Sequence, residues 1–199
     1  MMRPMPPEHL AGGFGAVEPA HEVGLWAYRT IINDGATVQN EDHEHLQRAR
    51  IGFLWTNEPN EKKGRALLGT CRLLPPSGDK WSTAQYMQQI NEWFEEEPHF
   101  IITLYAPACF EMDDASFMAL LEHELYHAAP KLDNFGQPMF AKETGEPLWA
   151  IRGHDVEQFV GVVRRYGAEA SGTAMLVDAA NRDPEVAQAQ ISIACGTCQ

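Results

Sequence analysis

The chain has 199 residues, of which 44% are hydrophobic and 22% are charged. This length suits one domain with a real core rather than two full-sized domains, and the composition is that of a folded protein. Acidic residues outnumber basic ones 28 to 15, which gives a net charge of -13. Because this balance weighs against a surface that coats nucleic acid, we expect no nucleic-acid partner.

The sequence also weighs against export and against a membrane location. No stretch approaches the roughly 20 apolar residues that are needed to span a bilayer. The N-terminal residues are rich in proline and glycine and lack the apolar core of a signal peptide. The four cysteines are too few and too unevenly spread to form a disulfide framework. We therefore expect a cytoplasmic protein with no membrane partner.

The first part of the chain is predicted to contain a flexible arm, one helix and two strands. Residues 1–18 are expected to form the arm. Apolar residues at helical spacing between Ala20 and Asn33 predict the first helix. Extended patterns from Arg50 to Thr56 and from Arg65 to Leu74 predict two strands, which we expect to pair as a β-hairpin around a turn at 58–64.

A second helix, a third strand and a third helix follow. A capping box at Ser82 predicts the start of the second helix. The β-rich run from Phe100 to Tyr105 predicts a strand. Asp113 or Asp114 can cap the next helix, whose apolar stripe ends before Pro130.

The last part of the chain is predicted to hold one more helix and a tail. A polar loop is expected from Lys131 to Gly153, and apolar spacing predicts a helix from about His154 to Tyr166. Residues 168–199 are an Ala-rich tail of uncertain structure. The tail ends in Cys195-Gly-Thr-Cys198, which is more typical of a disordered or locally disulfide-bonded end than of a zinc site. Together the elements predict a single α+β domain over residues 19–167, with a small, mainly antiparallel sheet packed against helices.

The motif His123-Glu124-Leu125-Tyr126-His127 lies inside the helix that ends before Pro130. Residues four apart share one face of a helix, so both imidazoles can bind one metal ion. Glu124 is offset from His123 by roughly 100° around the helix, where its carboxylate can act on a water beside the metal. This arrangement is typical of a hydrolytic zinc site, in which zinc lowers the pKa of its water to about 7 and the glutamate is the general base.

A zinc site of this kind needs a third protein ligand. We favour His154, because it follows Gly153 at a predicted helix start and its side chain can project over the active helix. Glu157 is the alternative ligand, and if it does not bind the metal it could orient His154. The simpler interpretation of His154 is a helix-start residue in solvent. Two other histidines, His43 and His45, lie in an acidic segment that we interpret as a solvated loop rather than as metal ligands.

Hydrolysis would also require a group that stabilises the oxyanion of the transition state. Tyr126, Arg152 and Tyr166 are the candidates, and the sequence does not choose among them. The predicted strand from Phe100 to Tyr105 could hold an extended peptide if it lies at the edge of the sheet. A peptide substrate would then add one strand to that sheet.

Three runs in the sequence resemble the phage metallopeptidase family. They are Leu-Glu-His-Glu-Leu-Tyr-His at 121–127, Gly-His-Asp-Val-Glu-Gln-Phe at 153–159 and Arg-Arg-Tyr-Gly at 164–167. The chain is similar, more distantly, to SprT-like proteases. The resemblance spans roughly residues 20–167. It implies a zincin-like α+β fold and a Zn2+ cofactor held by His123, His127 and His154. It also implies a peptide or protein substrate and, for a phage-encoded protein, a location in the host cytoplasm.

The sequence therefore predicts a zinc metallopeptidase, which is a hydrolase. The alternative is a catalytically silent zinc-binding or interaction protein on a zincin scaffold. Glu124 favours the enzyme, because a purely structural site needs no carboxylate beside its water and more often fills the fourth position with Cys or His. A zinc deaminase is disfavoured, since its Pro-Cys-x-x-Cys pattern is absent. Oligomeric state and cleavage specificity are not indicated by the sequence.

Overall fold

The computed structural model describes residues 2–62, 64–186 and 189. These residues form two compact units, one of residues 2–152 with residue 189 and the other of residues 153–186. The Cys195-Gly-Thr-Cys198 motif lies outside the described residues, as does most of the chain beyond 186. No helix within the described residues combines the length and the hydrophobicity needed to cross a membrane.

The described part of the first unit contains eight short strands. In chain order they are β1 (Val17–Pro19), β2 (Ile51–Thr56), β3 (Glu61–Lys62), β4 (Arg65–Ala66), β5 (Gly69–Leu73), β6 (Phe100–Tyr105), β7 (Ala128–Pro130) and β8 (Trp149–Ile151). Four of them form a sheet in the order β1-β2-β6-β5, in which β2 and β6 are parallel and the other pairs are antiparallel. β3 pairs with β4, and β7 pairs with β8, both antiparallel.

Both units contain helices. Those of the first unit are α1 (His21–Ala27), continued by a π-helical turn (Tyr28–Ile32), then α2 (Lys80–Trp93), α3 (Ala106–Glu111) and α4 (Asp114–His127), with 3-10 segments at Glu8–Leu10 and Glu41–Arg48. The second unit contains α5 (Val160–Ala170) and α6 (Ala174–Ala180). The fold is α+β with mostly antiparallel strand pairs, which confirms the predicted class.

The two faces of the four-stranded sheet pack against different helices. Phe53 and Trp55 of β2 belong to the main buried cluster, which also contains the apolar stripe of α4. Leu54 lies between them in sequence and packs with Ile90 of α2 on the opposite face. This alternation follows from the period of two in a strand that is buried on both sides. The sheet therefore separates α4, which carries the histidine motif, from α2.

Helix α4 begins where the sequence predicts. The Asp113 carboxylate accepts a hydrogen bond from the Ser116 amide at 2.7 Å, which satisfies one of the amides at the helix start. Every residue of the predicted apolar stripe is buried, namely Phe117, Leu120, Leu121, Leu125 and Ala128. Because packing of an apolar face stabilises most protein helices, this burial explains why α4 forms.

Two predictions about strands are wrong. β2 and β5 do not form a hairpin, because β6 lies between them and pairs with both. β6 is buried on both faces for most of its length, as expected for an internal strand. The predicted polar loop from Lys131 to Gly153 contains β8, which pairs with β7 through Ala128 and Ile151.

Two predicted helix starts are also displaced. Asp79 rather than Ser82 caps α2, since its carboxylate accepts hydrogen bonds from the amides of Trp81 and Ser82 at 3.0 and 3.1 Å. The helix predicted from His154 begins only at Val160. Phe159 and Val160 are 81% and 80% exposed, so the apolar pattern there is not buried and no packing stabilises an earlier helical turn.

The N-terminal segment, which is predicted to be a flexible arm, carries buried side chains. Arg3 and Leu10 are both buried. The Arg3 guanidinium donates hydrogen bonds to Asp114 Oδ1 at 3.1 Å and to the Met112 carbonyl, and it lies 5.1 Å from the centroid of the Phe117 ring. These contacts attach the segment to the first turn of α4.

Candidate metal centre

Helix α4 presents His123 and His127 on one face. Their ring centroids are 5.1 Å apart, and the ring planes are inclined at 80°. His127 is buried and His123 is half-buried. Two imidazoles at this separation can supply two of the nitrogen ligands that a zinc ion takes in proteins.

The orientation of His127 is set by the chain that returns to the end of α4. Its Nδ1 lies 2.6 Å from the Arg152 carbonyl oxygen, and the Arg152 amide donates to the His127 carbonyl at 2.9 Å. A carbonyl oxygen only accepts hydrogen bonds, so Nδ1 carries a proton, and in the neutral imidazole the lone pair is then on Nε2. This is how metal-ligating histidines are commonly held. The pairing of β7 with β8 brings Arg152 to this position.

Glu124 is fully buried beside the first residue of β5. A Cβ atom added to Gly69 would lie 2.7 Å from Glu124 Oε1 and 2.9 Å from its Cγ. The space that a side chain at position 69 would fill is therefore occupied by Glu124. No motif in the sequence marks Gly69. A glycine inside an extended run, where it weakens a strand, is the signal that could have indicated a close approach.

A polar network holds another side of α4. The Asn40 amide donates to Glu122 Oε1 at 2.6 Å and to the Tyr126 hydroxyl at 2.9 Å. The Tyr126 hydroxyl in turn donates to Asp42 Oδ2 at 2.9 Å. These bonds restrain the rotation of the helix about its axis. They also engage the Tyr126 hydroxyl, which makes it the least suitable of the three oxyanion candidates.

His43 is buried under this network, so the acidic segment around it is not the solvated loop that the sequence predicts. The centroid of its ring is 4.5 Å from that of Tyr126, and its Nε2 is 3.7 Å from Glu122 Oε1. Neither ring nitrogen has a hydrogen-bond partner among the described residues. Burial lowers the pKa of His43 from 6.5 to about 4. At neutral pH the imidazole is therefore uncharged, and its contact with Glu122 is not an ion pair.

Three of the predicted site residues belong to the second unit. His154 and Glu157 lie in the non-helical segment that precedes α5, and Tyr166 lies within α5 and is 63% exposed. Because this segment is not helical, Glu157 does not lie one helical turn after His154 on a shared helix face. Arg152, the other oxyanion candidate, ends the first unit, and its guanidinium carbon is 5.9 Å from the centroid of the Tyr126 ring. The ligand and oxyanion roles of these residues stay predictions.

The expectation that β6 could hold a peptide at the edge of the sheet is wrong. β6 pairs with β2 on one side and with β5 on the other. The edge strands of the four-stranded sheet are β1 and β5. β5 begins at Gly69, which lies beside Glu124.

Comparison with protein families gives a match over most of the chain. A family model described as "Putative phage metallopeptidase" matches residues 25–181, which is more than half of the chain and includes the three candidate histidines. No curated protein and no solved structure matches the chain.

The buried, uncharged His43 leads us to expect a loss of stability in acid. Its folded pKa of about 4 lies below the ordinary value of 6.5, so the unfolded chain takes up the proton first as the pH falls. The free energy of unfolding should therefore decrease from pH 6.5 towards pH 4, by about 3 kcal/mol from this group alone. His43→Leu should abolish this part of the decrease.

Urea unfolding of the chelator-treated protein at pH 7 and pH 4 measures the effect. His9→Leu is the matched control, because the His9 side chain is 64% exposed. The expectation is contradicted if His43→Leu and His9→Leu lose the same free energy of unfolding between the two pH values.

Proposed function

The chain belongs to the phage metallopeptidase family, and we propose that it is a zinc-dependent metallopeptidase that hydrolyses peptide bonds. The observation that carries the proposal is the combination of two histidines on one face of α4 with the buried carboxylate of Glu124 beside them. The histidines can hold a metal ion and the carboxylate can take a proton. A catalytically silent zinc protein on the same scaffold is the alternative, and it has no use for that carboxylate.

The donor set fits zinc. Imidazole nitrogens are among the usual zinc ligands, and the Arg152 carbonyl holds His127 in the tautomer that binds metal. His123 and His127 each offer one ring nitrogen to a metal ion, and His154 is the ligand that we propose as the third. When bound, zinc supplies Lewis acidity, which makes water a nucleophile near neutral pH and polarises a scissile carbonyl.

His154 is our preferred third ligand because of its covalent connection to the site. It follows Arg152 by two residues, and both backbone polar groups of Arg152 are hydrogen-bonded to His127. Two residues of extended chain span at most about 7 Å. The backbone of His154 therefore stays close to His127 in any conformation of this segment. Glu157 is three residues further along the chain and is less tightly restrained.

Glu124 is the proposed general base. Its carboxylate takes the proton of the attacking water and then delivers it to the leaving amine. A buried carboxylate is suited to this role because its interactions with nearby protons and charges are screened less than in bulk water. Arg152 and Tyr166 are the remaining candidates for stabilising the oxyanion.

Glu124→Gln should retain bound zinc and lose hydrolysis, because the amide keeps the shape of the side chain but cannot act as a base. We expect a decrease in turnover of about 10²–10⁴-fold. Metal analysis of the purified variant, together with cleavage of a fluorogenic peptide library, measures both properties. Glu92→Gln is the control and should leave turnover unchanged, because Glu92 is exposed on α2, on the other side of the sheet from α4. Undiminished turnover in Glu124→Gln would rule out the base, and loss of zinc would make Glu124 a ligand.

His154→Ala and Glu157→Ala form a matched pair that tests the third ligand. Removing a residue that only orients a ligand lowers metal affinity by about 10–100-fold. His154→Ala should lower zinc affinity by more than this range, and Glu157→Ala should stay within or below it. Titration of each variant with zinc against a competing chelator gives the affinities. The reverse order would assign the ligand role to Glu157.

A further inference from the structure

Gly69 lies against the proposed general base. A Cβ atom at this position would be 2.7 Å from Glu124 Oε1, 2.9 Å from Cγ and 3.0 Å from Cδ. Contacts shorter than 3.0 Å are essentially never made by real Cβ atoms, so the first two distances are too short. We propose that Gly69 is a positioning residue, because the absence of a side chain there lets the Glu124 carboxylate occupy its catalytic position. The catalytic part of this proposal rests on the proposed function, and the packing part does not.

The strand that carries Gly69 is restrained by its pairing with β6. Gly69 pairs with Leu104 of β6, and the Tyr105 amide donates to the Leu68 carbonyl at 2.9 Å. Leu104 is fully buried in the main core. Since a buried face specifies the register of a strand, moving Gly69 outwards would disturb the pairing of β5 with β6.

Helix α4 is fixed as well. Leu121 and Leu125, on either side of Glu124 in sequence, are fully buried in the same core. The amide of Asn40 binds two further side chains of the helix. With both backbones restrained, a side chain at position 69 has to be accommodated by Glu124 itself.

Accommodation would change the position of the carboxylate. The three nearest atoms to a Cβ at position 69 all belong to Glu124 and include Cγ and Cδ, so rotation of the carboxylate group alone does not relieve the overlap. Glu124 is fully buried, so its whole side chain must adopt another rotamer within a packed interior. A displacement of about 1 Å in a catalytic group can lower the rate by about 100-fold.

Gly52 offers a matched control on the same sheet. A Cβ atom there would lie 2.6 Å from Ile101 Cδ1 and 2.9 Å from Phe94 Cζ. These two residues belong to the cluster between the sheet and α2, on the face opposite to α4. Gly52→Ala therefore overpacks a neighbouring part of the fold to a similar extent without contacting Glu124.

The first experiment compares Gly69→Ala with Gly52→Ala in Tm, zinc affinity, kcat and KM on a fluorogenic peptide library. Both substitutions should lower Tm by about 2–12 °C, as overpacking does in a chain of this size. Gly69→Ala alone should lower kcat, by about 100-fold, with KM and zinc affinity unchanged. Equal kcat values in the two variants would overturn the proposal.

A double-mutant cycle with Glu124→Ala tests the packing without any activity. Glu124→Ala removes the three atoms that a Cβ at position 69 would meet, so Gly69→Ala should lower Tm much less in that background. Gly52→Ala should lower Tm equally in both backgrounds. If Gly69→Ala does not fold by itself, recovery of folding in the Glu124→Ala background supports the proposal. An undiminished Tm decrease, or no recovery, would overturn it.

The two experiments distinguish failure of this proposal from failure of the proposed function. If the wild-type protein cleaves no peptide in the library, the proposed function fails. In that case the Tm cycle still decides whether Gly69 determines the position of the Glu124 side chain.

Discussion

Burial of the apolar stripe of α4 against the four-stranded sheet determines where the groups that this helix contributes to the candidate site lie. Phe117, Leu121 and Leu125 are fully buried, and full burial of a side chain of this size contributes about 1.5–3 kcal/mol. Because this burial fixes the rotation of α4 about its axis, it also fixes the directions of His123, Glu124 and His127. The relative placement of these three residues follows from helix geometry and does not depend on a loop, which favours precision in a site.

The chain on either side of α4 adds two further restraints. At the C-terminal end the helix continues directly into β7, and the return of β8 places the Arg152 carbonyl at His127 Nδ1. On another side the Asn40 amide ties the helix to the segment that contains the buried His43. Together with the sheet, these contacts explain how a single turn of helix can present two imidazoles and a buried carboxylate in a defined arrangement.

The parts of the fold that the sequence predicts correctly depend on local patterns. The extents of β2 and β6 follow from composition and alternation, and the start and buried face of α4 follow from its cap and its period. Strand partners can come from segments that are distant in sequence, and local patterns do not specify them. For this reason the expected pairing of β2 with β5 is wrong. The helix expected at His154 is wrong for a related reason, because its apolar residues are not buried.

The same distinction applies to the candidate site. The spacing of His123 and His127 is a local property, and the structure places both on one face of α4. The roles that we assign to Gly69, Asn40 and the Arg152 carbonyl arise from contacts between distant segments, and no motif marks these residues. The sequence favours His154 as a ligand through a predicted helix start that does not form, whereas the proposal rests on the short chain connection between His154 and Arg152.

Metal content and peptide cleavage, measured together on the purified protein, test most directly whether this chain is a zinc metallopeptidase. We expect one zinc ion per chain and cleavage of members of an unbiased peptide library. Cleavage should stop on chelation and return when zinc is added, in a chain that circular dichroism shows to remain largely folded throughout, because its apolar core does not depend on the ion. Cleavage that persists without metal, or a zinc-loaded protein that cleaves no peptide, would contradict this function.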